Sequence, residues 1–187
     1  MTEDQALVSK ILTGDMHAFR LLIRQHERLV LHMIGRVVKS ESDREELCQD
    51  VFLRVYEKLR EFSFQSRLST WIATIAYRHA INHARKHKMM LSEVPDEERF
   101  TDRFIEQDNP ETIFQEEDMT KFVVQLIDQL PVQYKLVITL YHLNDMNYAE
   151  IGEVTGMPEG TVKNYLFRAR QLLKESVKKY IGKEEML

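Results

Sequence analysis

From Phe19 to Val37 the apolar positions are Phe19, Leu22, Ile23, Leu29, Val30, Met33, Ile34 and Val37, with His26 in the same stripe. Steps of three and four residues place them on one face of a helix. A second helix is expected from about Ser42, with Glu45 as its capping-box partner, to about Leu59. Its inward positions are Leu47, Val51, Val55 and Leu59. The polar-aromatic run from Phe62 to Leu68 breaks the period. A third helix is expected from about Ser69, through Trp71, Ile72, Ile75 and Ala76, to about Lys88.

Residues 91–118 carry Pro95 and Pro110 and no core pattern, so they read as a linker. The period resumes near Met119 with Phe122, Val123, Leu126, Ile127 and Leu130 on one stripe. Pro131 suits the first turn of the next helix, which carries Leu136, Val137, Leu140 and Tyr141. A short helix follows from Tyr148, stopped by Gly156 as its C-terminal cap. Met157 to Gly160 turn the chain, and Thr161 to about Tyr180 form the last long helix, with Val162, Leu166, Ala169 and Leu173 inward. The expected fold is all-α: two small helical domains, 1–90 and 119–187, joined by an acidic linker at 91–118. The second domain contains a helix-turn-helix, two helices meeting at a turn with glycine.

The chain has 187 residues with only 6 Gly and 4 Pro, which fits long helices with few breakers. Cys48 stands alone and is expected as a buried thiol. The N-terminal residues show no secretory signal pattern. No apolar stretch approaches the roughly 20 residues of a membrane span. A cytoplasmic protein with no membrane insertion is expected.

The net charge of −4 argues by itself against a nucleic-acid partner, but its distribution reverses that reading. Residues 1–90 hold 15 Lys/Arg and 11 Asp/Glu, residues 91–120 hold 2 and 11, and residues 121–187 hold 9 and 8. The acid is concentrated in the middle, and two stretches on either side of it contain no acid. One runs between Glu159 and Glu175, where the last helix would offer Thr161, Lys163, Asn164, Phe167, Arg168 and Arg170 to a DNA major groove. The other spans 62–92 and interleaves Arg67, Arg78, Arg85, Lys86 and Lys88 with Phe62, Phe64, Trp71 and Tyr77. Cations that follow phosphates beside rings that stack on bases are the chemistry of single-strand binding. Trp71 falls on the apolar stripe and is expected in the core, whereas Phe64 lies in the polar loop and is expected exposed.

Three blocks together resemble the extracytoplasmic-function sigma factors of the sigma-70 family. They are Glu45-Glu-Leu-Cys-Gln-Asp-Val-Phe-Leu53, the block from Phe62 to Ser69-Thr-Trp-Ile-Ala-Thr-Ile-Ala76, and Gly160-Thr-Val-Lys163 with Arg168-Ala-Arg170. They occur in the family's order, with a linker where the family has one. The resemblance implies that Glu46, Leu47, Gln49, Asp50 and Phe52 dock on the clamp helices of the RNA polymerase largest subunit, and that the flap region is a further contact. It implies that Ser63, Phe64 and Gln65, with Arg67, Arg78, Asn82, Arg85 and Lys86, open and read the −10 promoter element by capturing a flipped base. It implies that Thr161, Lys163, Asn164, Tyr165, Phe167, Arg168 and Arg170 read the −35 element as duplex, and that an anti-sigma factor is a partner. Two departures fall where bases would be read. Tyr77-Arg78 and Asn82 stand where the family often has Arg-Asn and then Asp, and Asn164-Tyr165 stand where it often has Ser-Arg. The promoter sequence therefore does not carry over.

Other chemistries fit less well. His79, His83 and His87 repeat every four residues on one helix face, a spacing that can chelate a transition metal. Arg78, Arg85, Lys86 and Lys88 surround them, and no carboxylate is near in sequence, so no metal is expected. No phosphate-binding glycine loop, Cys-His pair or Gly-x-Ser-x-Gly turn occurs; no cofactor and no covalent chemistry are expected. The competing classes are a stand-alone helix-turn-helix repressor or activator and a helical interaction protein without DNA. The first needs no melting block at 62–88, and the second leaves both acid-free stretches unexplained.

Overall fold

A computed structural model describes residues 2–87 and 116–184, with the side chains of 116–121 and 179–184 outside that description. Eight helices occur in the described residues: α1 (Glu3–Leu12), α2 (Met16–Gly35), α3 (Glu41–Lys58), α4 (Leu68–Lys86), α5 (Glu116–Gln129), α6 (Val132–Leu143), α7 (Tyr148–Thr155) and α8 (Glu159–Glu184). A single 3-10 turn, Leu59–Glu61, continues α3. No strand occurs among the described residues. Lys88, Pro95, Pro110 and residues 91–115 of the expected linker lie outside the described residues; positions 116–118, expected in that linker, begin α5.

Local chemistry sets the helix starts. The Thr2 hydroxyl accepts from the Gln5 amide while the Gln5 side chain accepts from the Thr2 amide, a reciprocal cap that starts α1. Asp15 accepts from the amides of His17 and Ala18 at the head of α2, and these bonds hold its carboxyl below the usual range. α3 starts earlier than its sequence pattern suggests. Ser40 is the cap, accepting from the Asp43 amide, so Ser42 and Glu45 lie inside the helix and form no capping box. Pro131 is likewise the residue before α6 rather than in its first turn.

The first lobe packs α2 against α3 and α4, with α1 laid on α2. Leu22, Val30, Met33, Ile34, Val51, Val55, Leu59, Leu68, Ile72 and Ala76 are buried at its centre. In the second lobe α8 packs on α5, α6 and α7 around Leu126, Tyr134, Leu136, Val137, Leu140, Ile151, Val162, Leu166 and Ala169. Leu173, expected inward, is half-buried; Leu172 is the buried neighbour. The turn between α7 and α8 depends on two glycines. Gly156 caps α7 at φ 77°, a conformation open to glycine at little cost. A Cβ on Gly152 would stand 2.9 Å from the Met157 carbonyl oxygen, closer than packed atoms allow.

The two lobes touch. α4 packs along α7, and one continuous core runs through buried residues of both lobes, Leu126 lying outside it.

Candidate functional site

The first candidate face is on α3. Glu46, Gln49 and Asp50 are exposed on it. Leu47 and Phe52 are not: they are 7% and 5% exposed, because α3 must turn these positions toward α2 and α4 to close the core. Leu47 therefore supports the face from behind. Phe52 forms part of the floor of a groove of about 520 Å³ between α2 and α3, with Phe19, Ile23, Leu31, Cys48 and Leu53. Leu31 and Leu53 remain 41% and 62% exposed on its lips, and Glu27, Glu45 and Gln49 edge it. Cys48 is half-buried rather than buried, and desolvation followed by the nearby Glu27 carboxylate raises its thiol pKa.

The second face is the 62–67 loop with α4. Phe62 is buried and packs between two rings, Phe64 at 4.6 Å and Trp71 at 5.1 Å between centroids. Phe64 itself is 42% exposed. Its φ of 58° is unfavourable for a bulky side chain, so the surrounding loop holds it there at a cost in backbone energy. Ser63, Gln65 and Arg67 are exposed beside it. Farther along α4, Arg78, Asn82, Arg85 and Lys86 are exposed, with Arg78, Asn82 and Arg85 aligned at steps of four and three. Tyr77 is half-buried, and burial raises its pKa.

The histidine stripe meets a carboxylate that its own sequence neighbourhood lacks. His83 Nε2 lies 3.5 Å from an Asp43 carboxylate oxygen on α3, and its ring stacks on His87 at 4.3 Å. Among the described residues no three His, Cys, Asp or Glu side chains converge as a metal-ligand set.

The third face is the N-terminal half of α8. Lys163, Asn164, Phe167, Arg168 and Arg170 are exposed, and Phe167 is 61% exposed. Thr161 is half-buried. Tyr165 is also half-buried, because its ring packs edge-on against the core ring of Tyr134 at 5.2 Å. Two of the cations are held by their own lobe. Lys163 pairs with Glu159 at 3.2 Å and lies 5.4 Å over the Tyr148 ring. Arg170 donates to His142 Nε2 at 3.0 and 3.2 Å and lies over Tyr141. Burial, then the Arg170 charge, lowers the His142 pKa and keeps Nε2 free to accept.

The second and third faces meet through Glu150 on α7. One carboxylate oxygen accepts from the Asn147 amide and completes the cap of α7. The other takes Arg67 Nε at 3.1 Å and the hydroxyl of the fully buried Thr70 at 3.4 Å. A second link joins Arg36, after α2, to Asp128 on α5. Asp128 and Arg36 carry no periodic or motif signal that would have singled them out; Glu150 stands three residues after Asn147, the spacing of a capping box, but nothing in the sequence points to Arg67 as its partner.

Two family models match the chain: sigma-70 region 2 over residues 22–89, and sigma-70 region 4 over residues 123–173. The chain is 30% identical over 188 residues to the ECF RNA polymerase sigma-E factor of Escherichia coli (strain K12), covering 95% of this chain and 96% of that one. It is 30% identical over 185 residues to the RNA polymerase sigma-H factor of Pseudomonas aeruginosa, covering 94% of each. The fold is similar to CnrH bound to the cytosolic domain of CnrY, with TM-score 0.64, 17% identity, and coverage of 94% of this chain and 97% of that one. It is also similar to the sigma factor RpoE of Bartonella quintana in complex with the anti-sigma factor NepR, with TM-score 0.60, 18% identity, and coverage of 86% and 96%. Identity across almost the whole length of both sequences, with the two region models in order, means that the chain belongs to the extracytoplasmic-function sigma factors of the sigma-70 family.

Proposed function

We propose that the chain directs promoter-specific initiation by docking on core RNA polymerase through α3 and engaging promoter DNA with α4 and α8. The observation that carries this reading is the pair of cation-bearing faces on α4 and α8, each drawn from a sequence stretch without acid and one in each matched region. Glu46, Gln49 and Asp50 form the polar part of the docking face, with Phe52 and Leu53 in the adjoining groove. Phe64, on its exposed loop, stacks on a base turned out of the −10 element, while Arg78, Asn82, Arg85 and Lys86 follow the strand. Lys163 and Asn164 face the −35 bases, and Arg168 and Arg170 take phosphates. Tyr165 supports α8 from the core side.

The chain does no covalent chemistry in this role and acts in the cytoplasm, beside polymerase and chromosome. No helix among the described residues is long and apolar enough to cross a membrane. An anti-sigma factor is a further partner, and the groove with exposed Leu31 and Leu53 is a suitable seat for its apolar side chains.

Run-off transcription with purified core polymerase tests the reading. Promoter-dependent transcripts are expected only when the chain is added. Tight duplex binding by the chain alone, with no gain in transcripts, would instead identify a stand-alone helix-turn-helix regulator.

A further inference from the structure

A second cavity, of about 670 Å³, opens where the two lobes meet; it shares only Leu31 with the α2–α3 groove. The end of α2 and the loop after it give it His32, Arg36 and Lys39, the first turn of α3 gives Arg44, and α5 and α6 give Asp128, Val132 and Lys135. Four cationic side chains thus share a recess with a single carboxylate, an excess of three positive charges. Three of the four cations are held by hydrogen bonds, and Lys39 is exposed at the rim. Arg44 Nε donates to the Val38 carbonyl at 2.6 Å and pins the loop. One Arg36 terminal nitrogen pairs with Asp128, while Arg36 Nε and His32 Nδ1 are buried with no hydrogen-bond partner. Lys135 donates to the Asp128 carbonyl. Burial is the largest influence lowering the Lys135 pKa, and Arg36, Lys39 and Arg44 add to it against the opposing Asp128. The recess therefore holds more positive charge than its own groups neutralise, and it keeps buried polar atoms unsatisfied at a cost an occupant would relieve.

We propose that this recess binds a small oligophosphate anion of nucleotide size. Arg guanidinium groups match phosphate oxygens in paired hydrogen bonds, and lysines add point charge. The volume falls within the range of roughly 300–1,000 Å³ typical of small-molecule sites, well beyond the needs of one phosphate. Leu31, Val37 and Val132 supply apolar wall against which a base can pack. Both lobes build the site, so an occupant binds only while they are together. Ligand at about a hundred times its Kd would shift the lobes toward contact about a hundredfold. The inference rests on the lobe contact and not on the polymerase reading, so its test uses no polymerase.

The test is calorimetric titration of the full chain at constant ionic strength with three probes: inorganic phosphate, tripolyphosphate and ATP. One saturable site for tripolyphosphate and ATP is expected, with inorganic phosphate at least about tenfold weaker. Lys39→Glu should weaken binding tenfold or more, and because Lys39 is exposed the variant keeps its fold. Lys135→Gln should do the same, with circular dichroism confirming helicity. Lys10→Glu, on exposed α1 outside the recess, makes the same charge change and should leave binding intact. ATP binding tenfold tighter than tripolyphosphate identifies a nucleotide site; equal binding identifies the phosphate chain alone as the ligand. No saturable isotherm up to millimolar probe, or equal weakening by Lys10→Glu and Lys39→Glu, overturns the proposal.

Discussion

Arg67, at the foot of the loop that carries Phe64, reaches across to Glu150 on the first helix of the helix-turn-helix at 3.1 Å. The bond ties a cation assigned to the −10 strand to a carboxylate in the other lobe. Arg67 is 64% exposed but Glu150 only 12%, so water screens the arginine end alone and the pair contributes about 1 kcal/mol. Thr70, the packing of α4 on α7 and the Arg36–Asp128 pair carry the rest of the contact. The lobes are thus joined by a contact that polymerase or DNA can exchange for others.

Glu150 has two separable roles, and two variants distinguish them. Arg67→Ala removes only the bridge and should lower the melting temperature little, while broadening the distance between spin labels placed on the two lobes. Glu150→Ala removes the bridge, the α7 cap and the acceptor of the buried Thr70 hydroxyl together and should cost about 1–2 kcal/mol more. Equal melting temperatures for the two variants would show that the cap and the Thr70 bond contribute nothing.

The double variant Glu46→Arg/Gln49→Arg should lose core polymerase while keeping its helicity, because both side chains are exposed and hold no core contact. Co-purification with polymerase is the measurement. Undiminished yield removes the docking assignment.

At Phe64 the ring and the backbone can be tested apart. Phe64→Ala should reduce promoter opening about tenfold or more, from the roughly 1–3 kcal/mol of a base stacked on an aromatic. Phe64→Gly should match it in permanganate reactivity of the melted strand. At φ 58° glycine escapes a penalty of about 1–2 kcal/mol that alanine retains. The glycine variant should therefore melt higher than the alanine variant; the reverse order would place the loop in a different conformation.

On α8, Asn164→Ala should cost about 1–3 kcal/mol on the preferred −35 element and little on a scrambled one, as loss of a base contact does. Arg168→Ala should weaken both alike and flatten the salt dependence by about one counterion. Holoenzyme affinity for both templates across a salt series decides the matter. Equal loss on both templates for Asn164→Ala means that it reads no base.

Stability should fall on mild acidification. Burial is the leading cause of the lowered pKa of His26, of His32 and of His142 in the folded chain. A histidine held neutral binds its proton more weakly folded than unfolded, so the unfolded state gains protons first as pH falls. Loss begins near the ordinary histidine value of about 6.5 and continues until the folded groups also protonate. Urea midpoints between pH 8 and pH 5 should decline, and replacing the three histidines by glutamine should flatten that decline.

The helices were legible because burial writes a period into sequence. The stripe from Phe19 to Ile34 and the glycine stop at Gly156 both stand where the pattern puts them. Phe64 is exposed, as its place in the polar loop predicts, whereas Trp71, expected in the core, is only half-buried against it. α1 went unread, although Thr2 and Gln5 are spaced for a capping box. The contacts between Arg67 and Glu150, His83 and Asp43, and Arg36 and Asp128 were not legible, since ion pairs between distant segments leave no period. The docking block was half legible: its motif marks five residues but does not tell the two that face the core from the three that face water.

Gly152 brings main chain against main chain at the bend before α8. The pitch at which that helix leaves the bend is set by a distance between backbone atoms and is insensitive to the side chains it carries outward. Lys163, Asn164, Phe167 and Arg168 can consequently be exchanged as a set without re-aiming the helix. A library randomised at these positions on an unchanged frame should yield proteins with new sequence preferences and ordinary stability, whereas a single methyl group added at Gly152 would misdirect them all.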